Sequence, residues 1–264
     1  MSPVLTAARS RSGRLFLVLL ASAIAVAGCA QLMADSIESL MKKGIELLTA
    51  GKYDEALAKF LEVVRREPKS WEAYLYMARA YLGKGSWTDA LASGRKALEL
   101  APNRADVIPV LADAFLGAGV EALRQRRFSD AVAHLTEYVK LKPADFQGYL
   151  NLGRAYLGTG ALGDALRSFV QGLGRQPDAA GRQQLIGGLL EGGRQALAAG
   201  QAAVAVEFLR EYVRYDSANA SAYLALGQAY LKSGQLGSAW SAFERVLELN
   251  PNDPEASQLL RGRR

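Results

Sequence analysis

Residues 148–165 read GYLNLGRAYLGTGALGDA, and the chain contains two near copies of this stretch. One copy, AYLYMARAYLGKGSWTDA, occupies residues 73–90, and the other, AYLALGQAYLKSGQLGSA, occupies residues 222–239. The three stretches are spaced almost evenly along the chain. Repetition at a nearly fixed period indicates an array of similar structural units.

A shorter period becomes visible when the alanine that ends each copy is followed through the chain. The alanines are Ala56, Ala90, Ala131, Ala165, Ala205 and Ala239. Three of the five intervals between them are equal, and the intervals that end at Ala131 and at Ala205 are longer. The sequence therefore predicts six units with a period of about 34 residues, two of which carry an insertion.

The spacing of apolar residues within a unit is typical of a helix. Tyr149, Leu152 and Tyr156 recur at i, i+3 and i+7, so they share one helical face. Gly153 and Ala165 are small enough for two helices to approach closely where they stand. Prolines would stop the second helices, and they are Pro68, Pro102, Pro143, Pro177 and Pro251. The pattern predicts an all-α chain of helix-turn-helix units.

These residues resemble the motif of the tetratricopeptide repeat family. In residues 146–179, Gly153 and Tyr156 match the family's first helix, and Ala165 and Phe169 match its second helix. The resemblance implies a right-handed α-solenoid, in which stacked neighbours bury the apolar faces that one hairpin cannot cover. The predicted units 1 to 6 are residues 37–70, 71–104, 105–145, 146–179, 180–219 and 220–253, followed by a capping tail over 254–264.

The insertions lengthen the first helix of units 3 and 5. The helical pattern continues in frame on both sides of each insertion, which predicts single long helices over residues 105–126 and 180–199. Since seven residues make about two turns, we expect the added turns to project from one edge of the solenoid. Glycines destabilise a helix interior, so their presence in the second long helix indicates either a hinge or a site of close packing. They are Gly187, Gly188, Gly192 and Gly193.

The first thirty residues resemble a bacterial lipoprotein signal. Arg9, Arg11 and Arg14 precede an apolar run. This run, residues 15–27, is too short to cross a bilayer. The chain's one cysteine, Cys29, follows almost directly.

The resemblance implies that residues 1–28 are removed, that Cys29 is acylated, and that residues 29–36 form a lipidated linker. Two or more acyl chains would anchor the protein stably in a membrane. In enteric bacteria an aspartate after the cysteine retains such proteins in the inner membrane, and Ala30 in that place favours the periplasmic face of the outer membrane. The alternative is an ordinary secretory leader that ends near a free thiol.

A second stripe on the first helices is distinct from the stripe that faces the core. Its members recur at i, i+4 and i+7, on helices that line the concave face in this family. The predicted partner-binding residues are Leu75, Arg79, Leu82, Leu150, Asn151, Arg154, Leu157, Arg194, Leu224, Gln228 and Leu231, and unit 3 adds Leu116, Val120 and Leu123 to the stripe. Leucines and arginines suit an amphipathic helix or an apolar peptide with acidic groups. Alternatively, the leucines complete the core and the arginines are solvated.

Charge and composition narrow the range of functions. The formal net charge is +6, but three arginines belong to the leader, which leaves 29 basic and 26 acidic residues in the remainder. A nearly neutral body lacks the basic surface that nucleic-acid binding requires. The single histidine, His134, and the single cysteine provide neither a metal-ligand cluster nor a nucleophile motif. We therefore expect no enzyme, no metal site and no cofactor.

The resemblance implies a scaffold that binds other envelope proteins or peptides through its concave face and the membrane through acyl chains on Cys29. The interpretation that we favour is a factor that assists assembly of an envelope machine, such as a pilus, a secretion channel or an outer-membrane complex. The alternative is a docking or regulatory factor for polysaccharide-export or peptidoglycan-remodelling enzymes. Fold alone does not choose between the two.

Overall fold

The computed structural model describes residues 35–262, which form α-helices and no strand. The helices are α1 (Ile37–Thr49), α2 (Tyr53–Arg66), α3 (Trp71–Lys84), α4 (Trp87–Leu100), α5 (Val107–Arg124), α6 (Phe128–Leu141), α7 (Phe146–Thr159), α8 (Leu162–Leu173), α9 (Ala179–Ala198), α10 (Ala202–Tyr215), α11 (Ala220–Lys232), α12 (Leu236–Leu249) and α13 (Pro254–Arg261). The predicted leader, Cys29 and most of the predicted linker lie outside the described residues.

Consecutive helices pair into six hairpins, each of which packs mainly on its neighbours along the chain. The odd-numbered helices α1 to α11 are the first helices of the hairpins, and the even-numbered helices α2 to α12 are the second. The short helix α13 stacks on α12 at the end of the array. The hairpins form a right-handed α-solenoid of six units with two elongated first helices, which confirms the predicted fold class.

Polar caps and left-handed turn residues define the helix ends. Asp178 accepts a hydrogen bond of 2.7 Å from the N–H of Gly181 at the start of α9, and side chains also cap α1, α3, α7, α11 and α13. The turn inside every hairpin contains a residue with positive φ. These residues are Gly51, Gly85, Arg126, Gly160, Gly200 and Gly234. Arginine adopts this conformation with more steric strain than glycine does.

The repeating alanine marks the contact between the two helices of every hairpin, and all six of these alanines are fully buried. Close by, a small residue of the first helix faces a bulky residue of the second. In unit 4, a Cβ atom placed on Gly153 would lie 2.5 Å from Cε1 of Phe169. Equivalent pairs are Gly44 with Phe60, Gly119 with Leu135, Gly193 with Leu209, and Gly227 with Phe243. The predicted role of the small residues is confirmed.

The two insertions produce the two longest of the described helices. Helix α5 has 18 residues and α9 has 20, and both begin and end within two residues of the predicted bounds. Helix α5 packs on different neighbours at its two ends. Val107 and Leu111 of α5 lie in a core cluster with residues of unit 2, whereas Ala122 lies in a cluster with residues of units 3 and 4. Unit 2 therefore packs near the N-terminal end of α5 and the later units near its C-terminal end, so the two sets are offset along the axis of α5.

The distance by which α5 extends past unit 2 follows from a contact that recurs between neighbouring hairpins. An aromatic residue at the start of a second helix packs on a glycine of the next first helix, and that glycine is the second-last residue of α3 (Gly83) and of α7 (Gly158). In α5 the same contact joins Trp87 to Gly117, seven residues before the helix ends. Helix α5 thus extends about 10 Å past the edge of unit 2. We call this junction the first step, and the junction at α9 the second step.

Three of the four glycines that the sequence singled out in α9 are sites of close packing. Cβ atoms on Gly188, Gly192 and Gly193 would lie 2.5, 2.3 and 2.7 Å from fully buried side chains of the second helices. Gly187 has no neighbouring atom within 4 Å of such a Cβ. Of the two predicted explanations, the structure favours close packing at these three positions.

A polar network closes unit 5, where Ser217 stands in place of the usual proline. The hydroxyl of Tyr212 donates a hydrogen bond of 2.7 Å to Asp216, and the amide of Asn219 donates one of 2.8 Å to the Tyr212 hydroxyl. The bond from Tyr212 lowers the pKa of Asp216, and burial raises the pKa of Tyr212. The network is therefore built for a charged carboxylate and a neutral phenol.

Helix α13 covers the apolar end of α12. Ala256 is fully buried, and Leu259 and Leu260 pack against the core cluster around Phe243. This helix lies within the tail that the sequence predicts to be a cap. Across residues 35–262, length and apolar character do not combine in any helix to the degree that crossing a bilayer requires.

Candidate functional site

The first helices form the inner wall of the solenoid. Neighbouring first helices contact each other at every junction from α1 to α11, whereas among the second helices of the described chain only α8 and α10 make comparable contact. Elements that approach one another lie on the side of smaller radius, so the first helices line the concave face. The predicted binding stripe lies on these helices.

Two of the predicted binding residues are buried. Leu75 and Leu150 are 3% and 4% exposed, and both lie in core clusters. Each stands in the unit before a step and is covered by the N-terminal half of the next long helix, α5 or α9. This burial corrects their assignment, since neither leucine offers a surface to a ligand.

Arg79 stands on the inner wall between units 1 and 2. Its guanidinium lies 5.2 Å from the centre of the Tyr76 ring, within the range of a cation–π contact. The same residue borders a cavity of about 470 Å³ that Ile45 and Leu48 also line. Arg79 thus combines charge with an adjacent apolar surface.

Arg154 and Arg194 continue the inner wall into units 4 and 5. Arg154 donates a hydrogen bond of 3.1 Å to the side-chain oxygen of Gln184, and partial removal from water lowers the pKa of its guanidinium. Arg194 is exposed and forms no ion pair within residues 35–262. Both guanidiniums are accessible on the inner wall.

The two amide side chains of the stripe are engaged within the protein. Asn151 donates a hydrogen bond of 3.0 Å to the carbonyl oxygen of Gln147, one turn earlier in α7. Gln228 donates one of 2.5 Å to Glu255 of α13. The half-buried leucines of the stripe are Leu82, Leu116, Leu123, Leu157, Leu224 and Leu231. Partner binding by the accessible members of the stripe stays a prediction.

The first step creates an apolar groove on this wall, which we call the step groove. Because α5 extends past unit 2, its side chains and the edge of unit 2 form the two walls of a corner. The groove has a volume of about 620 Å³. Its lining residues are Leu82, Gly83, Trp87, Asp113, Leu116, Gly117, Val120 and Glu121.

Sequence reasoning found only part of this groove. Leu82, Leu116 and Val120 belong to the stripe, but Trp87 starts a second helix and was not assigned to the site. Its ring lies over Gly117, where a Cβ atom would come within 2.4 Å of the indole. The sequence did contain a signal for Trp87, because Tyr53 and other aromatic residues recur at the start of the second helix in neighbouring units.

Two carboxylates border the step groove. Asp113 and Glu121 are eight residues apart on α5, so they lie along one side of the helix. Arg124 donates hydrogen bonds of 2.9 and 2.6 Å to Glu121 and lowers the pKa of that carboxyl. Asp113 is exposed, and no basic side chain within residues 35–262 is paired with it. The rim of the groove is therefore negative.

The second step has a polar corner instead. The amide of Gln195 in α9 donates a hydrogen bond of 3.0 Å to the carbonyl oxygen of Leu157, near the end of α7. Arg194 occupies the position of α9 that is equivalent to Val120 of α5. The bond bridges the corner that lies open at the first step.

His134 lies outside the groove, half-buried on α6. Its ring centre is 6.3 Å from that of Phe115, and burial lowers the pKa of the imidazole. In the part of the chain that the structure describes, no three histidine, cysteine or acidic side chains are grouped as metal ligands would be.

Comparison with known proteins gives likenesses to several proteins and solved structures. Superkiller complex protein 3 of Mus musculus is 29% identical over 132 residues, which are 50% of this chain and 8% of that protein. The structure titled Naa15/Naa10 bound to HypK-THB is 18% identical, with 86% of this chain and 33% of that chain covered at a TM-score of 0.52. MamA from Desulfovibrio magneticus RS-1 is 20% identical, with 84% and 99% covered at a TM-score of 0.40. The chain thus spans less than a tenth of the curated relative, and the likeness to Naa15/Naa10 shows the fold alone.

Models of the tetratricopeptide repeat match three segments of the chain, residues 41–105, 116–180 and 196–261. Proteins with this fold generally act as scaffolds without enzymatic activity and bind peptides or other proteins. The matched segments cover most of the described residues and agree with the observed hairpins. The chain belongs to the tetratricopeptide repeat family.

Proposed function

We propose that this protein is a lipid-anchored scaffold at the periplasmic face of the bacterial outer membrane, where it binds envelope proteins and assists assembly of a larger machine. The observation that carries the proposal is the inner wall, which presents accessible leucines and guanidiniums on six adjacent first helices. Apolar side chains flanked by cations suit a helical or extended segment with acidic groups or a free carboxylate.

The anchor is supported by the sequence alone, through the apolar run that ends beside Cys29. Cells grown with a clickable fatty acid should label the wild-type chain and should not label Cys29→Ala. Fractionation should place the wild type with the outer membrane and release the variant into the periplasm. An unlabelled wild-type chain would refute the anchor and leave the scaffold itself standing.

The partner surface is tested by charge reversal at Arg79→Glu/Arg154→Glu, followed by cross-linking in intact cells. We expect the variant to lose proteins that co-purify with the wild type, since both guanidiniums face the inner wall. The control is Arg65→Glu/Arg167→Glu, because these exposed arginines lie on the second helices and form only surface ion pairs.

Equal recovery of every partner by both double variants would contradict binding at the arginines of the inner wall. The identity of the recovered proteins carries the second part of the test. Components of a pilus, a secretion channel or an outer-membrane complex would support a role in assembly. Enzymes that remodel the wall or export polysaccharide would support a docking factor instead.

A further inference from the structure

We infer that the step groove is a docking site for a partner helix that presents apolar side chains between two basic residues about two turns apart. The inference rests on the proposed function in that it assigns partner chemistry to one part of the same inner wall. It concerns a feature that exists because α5 is displaced relative to unit 2.

The apolar character of the groove defines the centre of the partner segment. Val120 is 44% exposed although it lies inside a helix, and Leu116 precedes it by one turn. The indole of Trp87 and the side chain of Leu82 form the facing wall. A volume of about 620 Å³ lies within the range of clefts that hold bulky apolar groups. An occupant with two large aliphatic or aromatic side chains would bury this surface.

The carboxylates define the flanks of the partner segment. Eight residues separate Asp113 from Glu121, which corresponds to about 12 Å along α5. A helix that lies along this groove would meet both carboxylates if it carried lysine or arginine at two positions seven or eight residues apart. Arg124 already neutralises part of the charge on Glu121, so Asp113 is expected to make the larger contribution.

The second step shows that this chemistry is not a general consequence of the insertion. At the equivalent positions α9 carries Gly187 in place of Asp113, Arg194 in place of Val120, and Gln195 in place of Glu121. At the second step the same helix displacement thus occurs with a corner that carries Arg194 and is bridged by Gln195. The inner wall therefore has one acidic and apolar corner, at the first step, and one corner that carries an arginine, Arg194, at the second step.

The test uses the full chain in detergent with Trp71→Phe/Trp240→Phe, which leaves Trp87 as the single tryptophan, excited selectively over the tyrosines. Two capped synthetic helices are titrated, identical except at the flanks. One carries two leucines four residues apart between lysines, and the other has glutamates in place of the lysines. We expect a saturable blue shift of Trp87 emission with the lysine peptide and at least about tenfold weaker binding of the glutamate peptide.

Substitutions at the groove then locate the binding. Val120→Lys and Asp113→Lys should each weaken binding of the lysine peptide at least about tenfold. Val170→Lys is the matched control, because Val170 is a comparably exposed valine, at 39%, on the second helix α8. Circular dichroism of all variants verifies that they are folded.

Three outcomes would overturn the inference: equal affinity for the two peptides, no saturable binding below about 1 mM, or the same loss with Val170→Lys as with Val120→Lys. The result is separable from that of the proposed function. If Val120→Lys retains every cross-linked partner in cells while Arg79→Glu/Arg154→Glu loses them, the step groove is wrong and the scaffold stands. If the peptide binds at the groove but no envelope protein is recovered, the docking site stands and the envelope role fails.

Discussion

The two steps of the solenoid have the same arrangement of helices, but different residues pack between those helices. Helices α5 and α9 end at Arg124 and Ala198, and each packs on the unit before it and on its own second helix. At the first step the second helix α4 has Gly94, and Leu111 of α5 fills the space. At the second step the position of Gly94 is taken by Phe169.

The exchange explains one of the glycines of α9. Phe169 reaches into the wall that α9 forms, where Gly188 stands in place of the first step's Ala114. At this contact the bulky side chain belongs to the long helix α5 in the first step and to the preceding second helix α8 in the second step.

Truncation of the bulky partner at the second step should have the largest effect. Phe169→Ala removes a fully buried ring that contacts both α7 and α9, and we expect a loss of about 4 kcal/mol in the free energy of unfolding. Leu111→Ala at the first step should lose about 3 kcal/mol for the same reason. Urea unfolding followed by circular dichroism measures both.

The exposed Leu61→Ala on α2 is the control for these truncations and should change stability by less than about 0.5 kcal/mol. If Leu111→Ala were as harmless as Leu61→Ala, the long helix would not supply the bulk of the first step. The interpretation that the bulky residue comes from opposite helices at the two steps would then be wrong.

Adjacent glycines of α9 should respond with opposite sign. Gly188→Ala forces a methyl group against the buried ring of Phe169, which we expect to destabilise the protein by about 2 kcal/mol. Gly187→Ala meets no atom and should stabilise it by about 1 kcal/mol through helix propensity. Urea midpoints of the two variants provide the measurement, and each variant is the other's control. A stabilising Gly188→Ala would indicate that the second step is loosely packed.

The fold was predictable because local pattern and packing agree at every unit. The spacing of six alanines indicated the register, and all six alanines prove to be fully buried. The long helices were found because the apolar period continued through the insertions. Their direction of displacement was not found, since it depends on which neighbour each end packs against, and the apolar period is the same in either case.

The candidate site was less predictable for the same reason. Leu75 and Leu224 occupy the same position in their repeats, yet Leu75 is buried because a long helix follows its unit, whereas Leu224 lies in the last unit and is followed only by the short helix α13. The step groove joins Trp87 of one hairpin to Val120 of the next. A stripe defined along single helices cannot identify a surface that is shared between hairpins.

Removal of the bridge at the second step should have a smaller effect on stability. Gln195→Ala leaves the carbonyl oxygen of Leu157 without this hydrogen bond, which we expect to cost about 1 kcal/mol. Glu121→Ala is the matched change at the first step and removes only exposed hydrogen bonds from Arg124 and Gln125, so less than about 0.5 kcal/mol should be lost. Urea midpoints distinguish the two, and equal losses would show that the bridge does not stabilise the second corner.

The smallest expected effect lies in the turns that follow the two long helices. Arg126 after α5 has φ of 57°, where Gly200 after α9 has φ of 73°. An L-residue in this region carries about 1–2 kcal/mol of strain. Glycine avoids that strain but loses about 0.5–1 kcal/mol more through chain entropy on folding. Arg126→Gly should therefore stabilise the protein by about 0.5 kcal/mol, and Gly200→Arg should destabilise it by a similar amount. Thermal unfolding of both variants in one buffer resolves the signs, and a destabilised Arg126→Gly would mean that the arginine side chain makes a favourable contact at this edge which outweighs its backbone strain.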